Sequence, residues 1–106
     1  MNVSGRIEFR RELTYTQSKE LEKILLKSSW KISNDGKALE WDGNSVDNME
    51  IYLVKIVEML KGWKFDPIGI VKVVFPHKEY EIVVLKGKVK IYIDGSLLPI
   101  SNNTNI

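Results

Sequence analysis

The sequence predicts an α+β fold in which two helices pack on one face of a mainly antiparallel sheet, in the order β-α-β-β-α-β-β-β. Three observations carry this. Apolar residues alternate with period two near the N-terminus and again through the last third of the chain, as half-buried strands require. Two intervening stretches repeat apolar residues at three- and four-residue spacing, the period of an amphipathic helix. The last strand-like runs are joined by only a few residues each, which fits consecutive antiparallel hairpins.

The first strand is read over Gly5 to Leu13, with Ile7 and Phe9 on one side and Arg6, Glu8 and Arg10 on the other. Thr14-Tyr15-Thr16-Gln17 then matches a capping box, Thr14 as N-cap and Gln17 at the third helical position. The helix it opens buries Leu21, Ile24 and Leu25. Its other face shows Lys19, Glu20, Glu22, Lys23 and Lys27. Glu20 with Lys23, and Lys19 with Glu22, sit at pairing distance, three residues apart.

Trp30-Lys31-Ile32 and Ala38-Leu39-Glu40-Trp41 flank Ser33-Asn34-Asp35-Gly36-Lys37. Asn, Asp and Gly tolerate positive φ, so this segment reads as a hairpin turn between two short strands. After Asp42-Gly43-Asn44, Ser45 is a suitable N-cap, with Asp47 and Glu50 near the positive end of the helix dipole. The second helix runs from Val46 to Trp63. Val46, Met49, Tyr52, Leu53, Ile56, Val57, Met59, Leu60 and Trp63 form its apolar arc, while Ile51 and Val54 project among the charges of the opposite face. Gly62, Asp66 and Pro67 are its stop signals.

Three strands follow: Ile68–Phe75, Tyr80–Leu85 and Val89–Ile93, joined through Pro76-His77-Lys78 and Lys86-Gly87-Lys88. Val71, Val73 and Phe75 line one face of the first, and Val89, Ile91 and Ile93 one face of the last. Asp94-Gly95 turns the chain into Ser96-Leu97-Leu98-Pro99-Ile100. Residues 1–100 read as one domain and residues 101–106 as a frayed, disordered polar tail.

Composition narrows the function. The chain has 106 residues, 43% hydrophobic and 28% charged, with a net charge of +2 and no cysteine. That length suits a single domain, and the apolar content excludes intrinsic disorder. Disulfides and thiolate metal sites are excluded outright. No apolar stretch approaches the roughly 20 residues needed to span a bilayer, and no signal-peptide pattern opens the chain. A cytoplasmic protein is expected, and the sequons at Asn2 and Asn102 carry no weight without a secretory route.

Catalysis finds little to build on. His77 is the single histidine and lies in a turn, with no serine in a nucleophile-elbow context. The carboxylate pairs Glu8–Glu12, Glu40–Asp42 and Glu79–Glu81 share strand faces, yet each is interleaved with bases or lies near a turn, which reads as solvated surface. The segment Asp42–Asp47 begins like a calcium loop, but Val46 stands at a ligand position and no closing acid follows. None of the seven glycines forms a dinucleotide or Walker pattern. No enzyme activity, cofactor or metal is expected. Trp30, Trp41 and Trp63 read as core, with Trp41 alternatively topping a ligand groove.

The segments Gly5-Arg6-Ile7-Glu8-Phe9, Leu39-Glu40-Trp41-Asp42-Gly43 and Gly69-Ile70-Val71 resemble small uncharacterised single-domain proteins of bacteria and their phages. In size and style the chain is also similar, as a class, to phage-encoded inhibitors of host defence of the anti-CRISPR type. The resemblance implies no catalytic residues.

The first expectation is therefore a non-catalytic protein-interaction module, an inhibitor or regulator from a phage or mobile element that occludes the surface of a larger partner. Its contact would be Ile51 and Val54, with Glu50, Lys55 and Glu58 around them, since a central apolar contact with a charged rim is the usual anatomy of such patches. That helix face is equally a candidate seam for a homodimer. The alternative is nucleic-acid binding through a basic strand face carrying Lys72, Lys86, Lys88 and Lys90, with Tyr92 placed to stack a base. Arg6, Arg10 and Arg11 join it if the first strand lies alongside.

Overall fold

The structure, a computed structural model, describes residues 2–42 and 49–98. Its elements are β1 (Asn2–Glu8), α1 (Tyr15–Leu25), β2 (Trp30–Ile32), β3 (Ala38–Trp41), α2 (Met49–Gly62), β4 (Ile68–Val74), β5 (Glu79–Leu85), β6 (Lys88–Ile93) and β7 (Ser96–Leu98). The predicted order is present, with β7 as a short seventh strand after the Asp94-Gly95 turn. All seven strands join one sheet in the order β2-β3-β1-β4-β5-β6-β7, and each neighbouring pair is antiparallel.

Alternation decides which side of this sheet is covered. Ile7, Leu39, Val71, Val73, Ile82, Val84, Val89 and Ile91 point to one side and are buried. Both helices lie there. α1 offers Leu21 and Leu25, α2 offers Leu53, Ile56, Val57 and Leu60, and these side chains join the strand residues in one core. Edge-to-face ring pairs reinforce it: Trp30 with Trp41 across β2 and β3 at 5.4 Å, and Phe9 after β1 with Phe65 after α2 at 6.3 Å between centroids. All three tryptophans belong to this core or pack on it, Trp63 being only partly covered.

Local signals explain most boundaries. The capping box forms as read: the Thr14 hydroxyl accepts from the Gln17 amide at 3.1 Å and the Thr14 amide donates to the Gln17 side chain at 3.0 Å. The pairs Glu20–Lys23 (3.1 Å) and Lys19–Glu22 (3.6 Å) are also present. Lys86-Gly87 and Asp94-Gly95 each have positive φ at both positions, as two-residue type I′ hairpins require.

Several ends shift by a single residue from the sequence reading, and two differences have an evident structural cause. β1 covers Asn2–Glu8 rather than Gly5–Leu13, because Arg10 turns to φ 75° and the chain leaves the extended conformation there. At its other end the strand continues through polar Asn2 and Ser4, which pair with Val74 and Lys72. Close backbone approach permits this. A Cβ at Gly5, where φ is 89°, would overlap the Ile70 carbonyl oxygen, and one at Gly69 would overlap that of Arg6.

The stop of α2 is the second difference. Lys64, not Gly62, takes the left-handed position (φ 68°). The Phe65 amide donates to the Leu60 carbonyl and the Lys64 amide to that of Lys61, both at 2.9 Å, which is a Schellman cap. Arg11 closes the end by donating to the Trp63 carbonyl at 2.8 Å while its guanidinium lies 4.1 Å from the Phe65 ring centre. The predicted cap at Ser45, the proposed helix start at Val46 and the tail at 101–106 lie outside the described residues.

Candidate functional site on the outer sheet face

With both helices on one side, the other side of the sheet has no layer over it among the described residues. Its side chains follow from the register. One row across the strands reads Arg6, Ile70, Val83, Lys90. The next reads Ser4, Lys72, Glu81, Tyr92, Leu97. In the opposite direction Glu8 faces Ile68 and Leu85 faces Lys88, with Ile68 and Leu85 one step beyond the Gly69–Val84 pair.

The centre of this face is aliphatic and wet. Ile70 is 52% exposed and Leu85 47%; Ile68 and Leu97 are also exposed, and Val83 is half-buried. A shallow groove of about 380 Å³ runs along Val83, Leu85, Lys86, Lys88, Lys90 and Tyr92. Lone exposed apolar residues are ordinary, but a contiguous group rimmed by charge is the usual appearance of an interaction surface.

The charges divide into three zones. On the β1 side, the Arg6 guanidinium binds Glu8 at 2.7 Å, Asp35 at 3.4 Å and Glu40 at 3.9 Å. Its hydrogen bond to Glu8 pushes the Arg6 pKa above its ordinary value. Asp35 is held below the usual carboxylate range, chiefly by the Ser33 hydroxyl and then by the Lys37 amide at 3.0 Å. This cluster is internally neutralised and staples the β2–β3 hairpin to β1. In the centre, Lys72 pairs with Glu81 at 3.7 Å. On the β6 side, Lys86, Lys88 and Lys90 have no ion pair among the described residues, so this end of the face carries uncompensated positive charge.

The structure thus brings Lys88, Lys90 and Tyr92 together on one strand face, with Lys86 in the adjoining turn. Lys72 shares that face but stands two strands away and is engaged by Glu81. Arg10 and Arg11 do not join: Arg10 pairs with Asp66 at 3.4 Å, and Arg11 caps α2.

The α2 surface is smaller than the sequence suggested. Ile51 is exposed at 46%, and Lys55 and Glu58 are exposed, Glu58 standing 4.0 Å from Lys61. Val54, in contrast, is half-buried and packs against the core. At 3.6 residues per turn it sits only ~60° around the helix from buried Val57, so it borders the apolar arc instead of opposing it. The Glu50 side chain lies outside the described residues.

The outer-face aliphatics Ile68, Ile70, Val83 and Leu85 were not singled out from the sequence. Their signal lies in the short apolar runs Ile70-Val71 of β4 and Ile82-Val83-Val84-Leu85 of β5, where residues of both parities are apolar although helices cover only one face. His77 is exposed in its turn. Of the carboxylate pairs, Glu8 and Glu40 are drawn to Arg6 and Glu81 to Lys72. Among the described residues no group of three or more acidic or histidine side chains is placed to hold a metal, and no helix is long and apolar enough to cross a membrane. The calcium-loop-like segment falls largely outside them.

No family model, curated protein or solved structure matches the chain.

Proposed function

We propose that the protein is a non-catalytic interaction module that docks through the outer face of β4, β5 and β6 and acts by covering part of a larger protein. The observation that carries this reading is the aliphatic group Ile68, Ile70, Val83 and Leu85, left in water on the face opposite both helices and bordered by unpaired lysines. An apolar centre inside a polar rim is how protein interfaces gain affinity, the centre by desolvation and the rim by register and steering. Ile51 on α2 offers a single apolar contact and is the weaker candidate. An inhibitor acting by occlusion, as the resemblance to phage proteins implies, needs nothing beyond such a face.

Nucleic-acid binding is the second reading, favoured by Lys88, Lys90 and Tyr92 on one strand face. It has less support, because bases stack on aromatic platforms and the centre of this face is aliphatic.

The test is to replace Leu85 by a photo-crosslinking benzoylphenylalanine and irradiate the protein in its native cells, with the same replacement at Ile51 as the comparison. A protein adduct from position 85, lost when Ile70→Asp is added, is expected. A nuclease-sensitive adduct would move the assignment to nucleic acid. Adducts from position 51 alone, or none from position 85, would refute the docking face.

A further inference from the structure

The docking face has a polarity that defines its occupant. Whole-chain charge is only +2, yet Lys86, Lys88 and Lys90 stand along one groove without an ion pair among the described residues, while Glu8, Glu40 and Glu81 of the same face pair with Arg6 or Lys72. The positive charge on this face is therefore concentrated at its β6 end. The groove floor beneath those ammonium groups is Val83 and Leu85, with Tyr92 closing one end. A ligand that satisfies both features must carry anionic groups and an apolar group within a few ångströms of each other.

Resting on the docking reading above, we propose that the β5–β6 groove takes an acidic polypeptide segment of the partner, its carboxylates on Lys86, Lys88 and Lys90 and one aliphatic or aromatic side chain on Val83 and Leu85. Spacing supports this. Side chains two residues apart on a strand face recur about every 6.6 Å, and carboxylates one helical turn apart, or two residues apart in an extended chain, recur at about 5–7 Å. A single strand of nucleic acid fits less well. Successive bases stack on aromatic rings, and the groove lining offers Tyr92 beside aliphatic Val83 and Leu85. Lysine ammonium groups on a solvated rim act chiefly through steering and register, so the attraction should be steeply salt-dependent.

The experiment is fluorescence anisotropy with three labelled probes: a twelve-residue peptide of glutamates around a central Leu-Phe pair, the same peptide with glutamine for glutamate, and a twelve-residue oligothymidylate. The expected result is saturable binding of the glutamate peptide, weakened about tenfold or more by Lys88→Glu with Lys90→Glu and by half-molar salt, and unchanged by Ile51→Asp. Circular dichroism establishes that each variant remains folded.

Equal binding of the glutamine peptide, abolished by Leu85→Asp, would sink the acidic occupant while leaving the docking face intact. Binding of either peptide that ignores every outer-face substitution would sink both. Tighter binding of the oligothymidylate, lost on Lys90→Glu, would assign the groove to nucleic acid. Absence of peptide binding at millimolar concentration would overturn the acidic-segment proposal alone, since the crosslinking at position 85 tests the docking face independently.

Discussion

Ile82 and Val83 are neighbours on β5, yet one is fully buried in the core and the other faces water between Ile70 and Lys90. The same holds across the sheet, where buried Val71, Val84 and Ile91 alternate with exposed Ile70, Leu85 and Lys90. Covering an aliphatic side chain completely contributes about 1.5–3 kcal/mol, and half-exposed ones forgo much of that. The inner face therefore supplies the stability, and the outer aliphatics stand at positions where the fold gains little from them. That contrast is the physical basis for assigning the outer face to binding.

Substitution can break the contrast most sharply on the inner side. Ile82→Ala or Ile91→Ala should lower unfolding free energy by about 2–5 kcal/mol in urea titration, as a cavity forms in a packed core. Ile70→Ala, one strand face away, should cost below about 1 kcal/mol, the value of a cross-strand pair. Similar losses on the two faces would end the division of roles.

Gly69→Ala comes next. The added Cβ meets the Arg6 carbonyl, so β1 and β4 must separate, and a loss above about 1 kcal/mol is expected, with weakened amide-exchange protection along both strands. Thr14→Ala removes a capping hydroxyl that serves α1 on the inner side and should cost about 1 kcal/mol. Lys64→Gly relieves a left-handed residue at the α2 cap and should raise stability by up to about 1 kcal/mol.

The smallest expected effect is a pH dependence at the outer face. Asp35 is held below its ordinary value of 3.8, so its unfolded form takes up a proton first. Its contribution is complete above pH 3.8 and is lost as pH falls through the lower folded value. Asp35→Asn should flatten the stability profile in that acidic window and nowhere else; an unchanged profile would remove the Ser33–Asp35–Lys37 network from the account.

Much of the architecture could be read before any coordinates, because its signals are local. The Thr14–Gln17 box, the Asn-Asp-Gly turn, the Lys86-Gly87 hairpin and the inward parity of β4 and β6 all depend on residues adjacent in sequence. What escaped was set by distant partners. β1 begins at Asn2 because β4 accepts it, and Lys64 caps α2 because Phe65 reaches back to Leu60 in a motif that glycine usually marks. The position of Val54 relative to the core depended on where α2 lay against its neighbours. The outer patch was the hardest case. Ile68 and Ile70 look like further core residues until the strand register sets them beside Leu85 and Val83 on the uncovered face, whereas Lys88, Lys90 and Tyr92 announced themselves through chemistry.

The docking face is tested most directly by mapping amide chemical shifts of the isotope-labelled protein during titration with the glutamate peptide. Shifts should concentrate at Ile70, Val83, Leu85, Lys88 and Lys90, leaving Ile51 and the α2 surface still. A footprint on α2, or at the α1–β2 edge around Leu26 and Ile32, would contradict the account.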